Sequence, residues 1–264
     1  MTELFLLSML LGLIAGLLAG LFGLGGGVVI VPVLVWMFSS YGFPTDLIMI
    51  MAVATSLSTI VFTSVASILA HHKLGAIKWA NVIRLSPGIL LGAALGAVVA
   101  DYIAADILKY FFVTYLFYVS LKMAWPQKIN NKTVRKINNK VDYLVGPGIG
   151  FLSSILGIGG GTLTVPYLLS RKLAMKNAVA VSSVCGFPIA VSSTVSYIVL
   201  GWKVDLLPEW GFGYIYLPAL AGIIICSTLT APIGAKLANK LPAKQLKRYF
   251  SIVLFLIAFK MILL

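Results

Sequence analysis

Eight apolar stretches, each close to the length a helix needs to cross a bilayer, leave this chain few folds to choose from. They cover residues 4–22, 46–70, 85–100, 107–124, 141–169, 178–200, 214–235 and 249–264. A bilayer core takes about 20 helical residues to cross. Of the 264 residues, 60% belong to the hydrophobic set and 10% are charged, with a mean hydropathy of +1.04. An ordinary soluble domain carries about 25% charged residues, so a water-soluble fold is excluded. The fold class expected is all-α, a polytopic helical membrane protein. Glu3 precedes the first stretch and no Lys or Arg does, whereas a signal peptide needs a basic start. The first stretch is therefore expected to be retained.

The chain repeats itself. FGLGGGVVIVP at 22–32 and LGIGGGTLTVP at 156–166 align at an offset of 134. Gly23, Gly25, Gly26, Gly27 and Pro32 fall on Gly157, Gly159, Gly160, Gly161 and Pro166. Upstream, Gly12 and Gly16 fall on Gly146 and Gly150, and Gly20 on Ser154, so each half opens with a small residue at every fourth position. The ends also match: KYFFVTYLFYVSLKM from Lys109 resembles KRYFSIVLFLIAFKM from Lys247. Residues 1–125 and 141–264 are read as two transmembrane repeats, and the polar, Lys- and Asn-rich 126–140 as a connector.

The formal charge of +13 would suggest nucleic acid were the charges gathered on one face. Instead they lie between apolar stretches, so no nucleic acid is expected and the bilayer is the partner. Residues 73–84, 128–140, 171–176 and 236–248 hold 16 of the 20 Lys and Arg, which the positive-inside rule assigns to the cytoplasm. Six of the seven acids, Glu3, Asp46, Asp101, Asp106, Asp205 and Glu209, then fall on the other side, with both termini outside. Equivalent loops carry opposite charge: basic 73–84 corresponds to acidic 205–209, and acidic 101–106 to basic 236–248. That exchange is expected of inverted-topology repeats. Stretches 4–38 and 141–169 should each enter and leave on one side, turning at their glycines. The competing reading, four crossings per half and parallel repeats, leaves the exchange of sign unexplained.

A glycine-rich break at membrane depth exposes backbone that hydrocarbon cannot satisfy, so two related breaks imply a shared protein-lined cavity. Each break restarts a short helix, at Val28 and at Thr162, whose first N–H groups and positive dipole end favour an anion. The candidate binding residues are Gly25, Gly26, Gly27 and Val28 with Gly159, Gly160, Gly161 and Thr162. Close helix contact is the other use of such glycines. A hydroxyl-rich segment follows each break, and aligning VATSL with AVSSV pairs Thr55 with Ser182 and Ser56 with Ser183. These four either complete the shell around an oxyanion or join helices. No Asp, Glu or His stands at the centre of an apolar stretch, so the buried acid of a proton relay is not indicated. Lys122, Lys260, His71 and His72 are read as interfacial. Cys185 and Cys226 lie in apolar stretches without metal-ligand spacing, so no metal site is expected.

These motifs, with VATSL near Thr55 and RLSPGILLGAALGA from Arg84, resemble the TauE/SafE (sulfite exporter, TSUP) family of integral membrane proteins over nearly the whole chain. The resemblance implies secondary transport of a sulfur-containing anion, such as sulfite or an organosulfonate, across a prokaryotic inner membrane. Alternating access of one repeat against the other is the mechanism expected of inverted halves. Family members commonly carry a GTSL-like run where this chain has Ala54, Thr55, Ser56 and Leu57, a departure at the first position. No catalytic residue or cofactor is expected, and the coupling ion, H+ or Na+, stays open, as does the oligomeric state. An anion channel, or sulfur-transfer chemistry at Cys185, are the alternatives.

Overall fold

The computed structural model describes residues 2–22, 25–124, 140–238 and 243–263. The connector expected at 126–140 lies outside the described residues apart from its last. Ten helices and one short hairpin form among the described residues. The helices are α1 (Thr2–Phe22), α2 (Gly27–Ser40), α3 (Thr45–Lys73), α4 (Trp79–Tyr102) and α5 (Ala105–Ala124), then α6 (Lys140–Leu156), α7 (Gly161–Ser170), α8 (Met175–Gly201), α9 (Leu217–Ala238) and α10 (Ala243–Leu263). Five of them, α1, α3, α4, α8 and α9, are long and apolar enough to cross a membrane. The chain is a polytopic all-α membrane protein.

Strands β1 (Gly211–Phe212) and β2 (Ile215–Tyr216) pair antiparallel ahead of α9, where sequence reading expected only loop and helix. Gly213, with φ of 57°, makes the turn possible.

In water the β-branched run GVVIVPVLVW of α2 would favour a strand. Within a bilayer every backbone donor must be satisfied inside its own segment or by protein, which makes it a helix. It ends where Tyr41 N bonds to Met37 O and Gly42 turns with φ of 72°.

The helices pair across the two halves. Helices α3 and α8 form the centre and run antiparallel, with Ser58 Oγ 3.3 Å from Thr194 Oγ1 and Ser67 Oγ 3.3 Å from Ser183 Oγ. Parallel to α9 lies α1, where Gly12 faces Ile223, Gly16 faces Ser227 and Gly20 faces Ala231. In the same manner α4 lies along α6, with Gly88 against Pro147 and Gly96 against Phe151. Such glycines let backbones approach closely. Helices α5 and α10 meet through Ser120 Oγ donating to Ser251 O at 2.8 Å and through Phe117 edge-on to Phe255. Exchanging α1–α5 with α6–α10 maps each of these four pairings onto a pairing of the same set.

Two hairpins result, and each is closed at its mouth by a polar contact. Tyr41 Oη, just past α2, donates to Glu3 Oε2 near the start of α1 at 3.4 Å. At the other mouth Asp142, near the start of α6, accepts from Tyr167 of α7 and from Arg171 Nη2 at 3.1 Å. The start of α1 and the end of α2 therefore share one end of the bundle, as do the start of α6 and the end of α7. Since α2 leads into α3, α7 into α8, and α3 opposes α8, the two hairpins open toward opposite ends.

Of the residues read as interfacial, Lys122 donates to Tyr118 Oη at 3.1 Å, and Lys260 Nζ stands 4.9 Å over the Trp36 ring. His72 is exposed beside Trp79. His71 corrects the expectation: it is 1% exposed, and neither ring nitrogen is hydrogen-bonded among the described residues. The chain turns directly after it, where Gly75 takes φ of 61° and Ala76 N bonds back to His71 O at 3.2 Å. Asn177 then pins that turn by donating to Ala76 O at 2.6 Å.

Candidate functional site at the hairpin tips

The glycines of each motif adopt backbone conformations that a side chain would strain. Gly25, Gly26, Gly157 and Gly160 have φ of 71°, 79°, 67° and 73°, the left-handed region glycine enters freely. The tips also touch. A β-carbon on Gly25 would stand 3.0 Å from Gly159 Cα, and one on Gly27 would stand 3.0 Å from Ile158 Cα. Both tips meet the central helices near their middles: Ile60 of α3 covers Gly25, and Gly186 of α8 faces Gly159 O.

From these tips two helices start. Gly26 caps α2 and Gly160 caps α7, equivalent positions in the two motifs, and neither start has a side-chain cap. Gly26 O accepts from Val29 and Ile30, while Gly160 O accepts from Leu163 at 3.0 Å and Thr164 at 2.7 Å. The capping carbonyls are used within the helix, whereas N–H groups of the first turn point out of it. Gly26, Gly27, Val28, Gly159, Gly160 and Gly161 are buried, and Gly25 is half-buried. Two positive dipole ends therefore converge where water is scarce, a setting that favours negative charge.

The predicted hydroxyls separate into different tasks. Ser56 Oγ of α3 donates to Gly157 O at 2.8 Å and so reaches the tip of the other half's hairpin. Thr55 Oγ1 accepts from Tyr216 N at 3.0 Å, tying α3 to the β-hairpin. Ser183 Oγ donates to Val179 O within α8 and lies 3.3 Å from Ser67 Oγ. Ser182 is fully buried in α8. Thr162 is half-buried, and its hydroxyl pairs with Tyr115 Oη of α5. Cys185 is a free, fully buried thiol within α8, and Cys226 a free, buried one within α9.

Several residues at the tips escaped sequence reading. Ile189 of α8 puts its Cδ1 2.5 Å from where a Gly160 β-carbon would be. Ser154, the counterpart of Gly20, accepts from Ser193 Oγ at 2.8 Å on its hydroxyl and from Tyr197 Oη at 3.1 Å on its carbonyl. Ser153 and Thr164 are buried with hydroxyls that have no hydrogen-bond partner among the described residues. The available signal was a contrast between halves, since their counterparts at offset 134 are Ala19 and Ile30.

Residues 8–261 match the family described as Sulfite exporter TauE/SafE. A protein of Haemophilus influenzae named probable membrane transporter protein is 39% identical over 258 residues, covering 98% of each chain. One of the same description from Methanocaldococcus jannaschii is 30% identical over 94% of this chain and 91% of its own. Probable membrane transporter protein YunE of Bacillus subtilis is 27% identical over 98% of this chain and 97% of its own. No solved structure matches. With a family match across nearly its whole length, and with ten helices among the described residues and two glycine-tipped hairpins meeting at the centre, the chain belongs to the TauE/SafE family of membrane transporters.

Proposed function

We propose that the protein is a secondary transporter that carries a small sulfur-containing anion, sulfite or an organosulfonate, across the inner membrane of a prokaryote. The observation that carries this reading is the meeting of two uncapped helix starts, at Gly26 and Gly160, in the middle of the bundle. Hydrogen-bond donors and dipoles of one sign favour an oxyanion, and the family's description, Sulfite exporter, supports the sulfur chemistry. The two halves form an inverted pair, with the basic loops in the cytoplasm and both termini outside. Hairpins that open to opposite ends suit alternating access: rocking of one half against the other exposes the tips to one side at a time. A gradient of H+ or Na+ drives the cycle.

Uptake of labelled sulfite into proteoliposomes, under imposed H+ and Na+ gradients and with unlabelled sulfonates as competitors, tests this. Saturable, competed uptake that is lost in Gly26→Leu and Gly160→Leu is the expected result, with detergent-solubilised folding of each variant checked by size exclusion. Failure of the wild type to move sulfite or any competing sulfonate under either gradient rejects the substrate class. Unsaturable, voltage-following flux rejects the carrier mechanism in favour of a channel.

A further inference from the structure

We infer that the anion is held on one side of the paired tips, in a seat formed by the start of α7 with the hydroxyls of Ser153 and Thr164. This deepens the transport reading and rests on it for the identity of the cargo, but the seat itself stands on separate observations. Ser153 is 1% exposed and Thr164 is 0% exposed, and neither hydroxyl has a hydrogen-bond partner among the described residues. A buried hydroxyl left unpaired costs free energy, so evolution retains one where something else completes its bonding. Both point at the same place. Thr164 Oγ1 lies 3.3 Å, and Ser153 Oγ 3.6 Å, from the position a β-carbon on Gly160 would occupy.

Gly160 is the N-cap of the ten-residue α7. Around one point stand two free hydroxyls, the first-turn N–H groups of Gly161 and Thr162, and a positive dipole end. Every group in this set is able to donate to a ligand oxygen, and the dipole disfavours a cation. That selects a small tetrahedral or pyramidal oxyanion over sodium. Ile189 Cδ1 presses on the spot at 2.5 Å from the absent β-carbon. As the far end of a flexible side chain, it is able to withdraw when the seat fills.

The first hairpin lacks this equipment, having apolar Ala19 and Ile30 where the second has Ser153 and Thr164. Those two residues are 3% and 0% exposed, in a shell without hydroxyls at the equivalent points. Repeats that look alike in their glycines thus differ in what surrounds them. The second tip binds, and the first tip braces it through the Gly25 to Gly159 and Gly27 to Ile158 approaches.

Equilibrium binding of sulfite, sulfate and thiosulfate to purified wild type, Ser153→Ala and Thr164→Val, each also measured for thermal stability without ligand, tests the seat. Wild type is expected to bind at least one of these anions. Each variant should weaken that affinity about tenfold, as loss of one hydrogen bond to an anion does. Neither should lower ligand-free stability, because neither removes a bond made within the chain. Affinity unchanged in both variants, as a buried water on these hydroxyls would give, overturns the seat. Binding of Na+ without any oxyanion overturns it as well, as does failure of wild type to bind any of the three. Transport separates the two readings: binding that weakens in the variants without any uptake by wild type sinks the transporter reading and keeps the seat, while wild-type uptake with unaltered affinity in the variants does the reverse.

Discussion

Ser56 Oγ of α3 donates to the carbonyl oxygen of Gly157 at 2.8 Å, so a helix of the first half holds the tip of the second hairpin. Both groups are buried. Ser56→Ala leaves that carbonyl unpaired, at a cost of about 1–3 kcal/mol. The variant is expected to melt several degrees lower in detergent and to lose transport with the loosened tip. An unchanged melting temperature with transport lost would instead put Ser56 in direct contact with substrate.

The α1 to α9 contact depends on glycine. A β-carbon on Gly12 would lie 2.5 Å from Ile223 O and 2.9 Å from Ile223 Cα, both backbone atoms that cannot turn aside. Gly12→Ala should therefore cost about 1–3 kcal/mol through forced separation of the helices. Gly148 in α6 has nothing within 4 Å of its β-carbon position, and Gly148→Ala should gain up to about 1 kcal/mol from helix propensity. Thermal unfolding of the two variants side by side compares them. Equal shifts would remove the contact explanation.

At the mouth of the second hairpin, Asp142 pairs with Arg171 at 3.1 Å and lies 3.9 Å from Arg84, with side chains 3%, 10% and 32% exposed respectively. Asp142→Asn leaves Arg171 charged and buried, and breaking such a pair costs about 3–5 kcal/mol. Replacing both, Asp142→Asn with Arg171→Met, should recover much of that loss. A double variant no more stable than the single one would show that the pair is not what fastens the mouth.

Tyr214, in the loop before α9, donates to Asp101 Oδ1 at 2.6 Å. Burial first, then the hydrogen bond and charge of Asp101, hold its phenol above the ordinary tyrosine value of 10.0. A phenol whose pKa is higher in the folded state lends stability that is complete below the unfolded value and is lost as pH rises toward the folded one. Melting temperature should thus show no pH dependence from this group between pH 6 and about 9, where its contribution is complete, and fall above about 10. In Tyr214→Phe the alkaline fall should shrink, and an identical alkaline limb in both proteins would exclude Tyr214 as its source.

Both native cysteines are buried, so an impermeant maleimide should find little to label in the wild type. A cysteine at Tyr41 and one at Lys172 mark the ends of the bundle where the first and second hairpins open. On intact cells Tyr41→Cys is expected to label and Lys172→Cys to label only after the membrane is opened. Labelling of both from outside would refute inverted insertion.

What could be read from the amino-acid order, and what could not, follows from the range of each interaction. Gly25, Gly26, Gly157 and Gly160 announced the two turns because the left-handed backbone they adopt is a local property. The hairpin form of 4–38 was legible from loop charge and agrees with the Glu3 to Tyr41 contact. The roles of Thr55 and Ser183 were not legible: which partner a hydroxyl meets depends on elements more than a hundred residues away, Tyr216 of β2 for Thr55 and Ser67 of α3 for Ser183. The burial of His71 was not legible either, because its place in the last turn of α3 does not say what packs over it. Ser153 and Thr164 were passed over because a lone hydroxyl in an apolar run looks like ordinary helix filler until its lack of a partner is seen.

The pairing of α1 with α9 and of α4 with α6 has a consequence for how the chain is made. Gly12 leaves the ribosome long before Ile223 exists, yet its place is against that residue. The first helix must wait in the lipid, its glycine face unfilled, until the ninth is inserted. Neither half can mature ahead of the other, and the fold locks only when synthesis is nearly over.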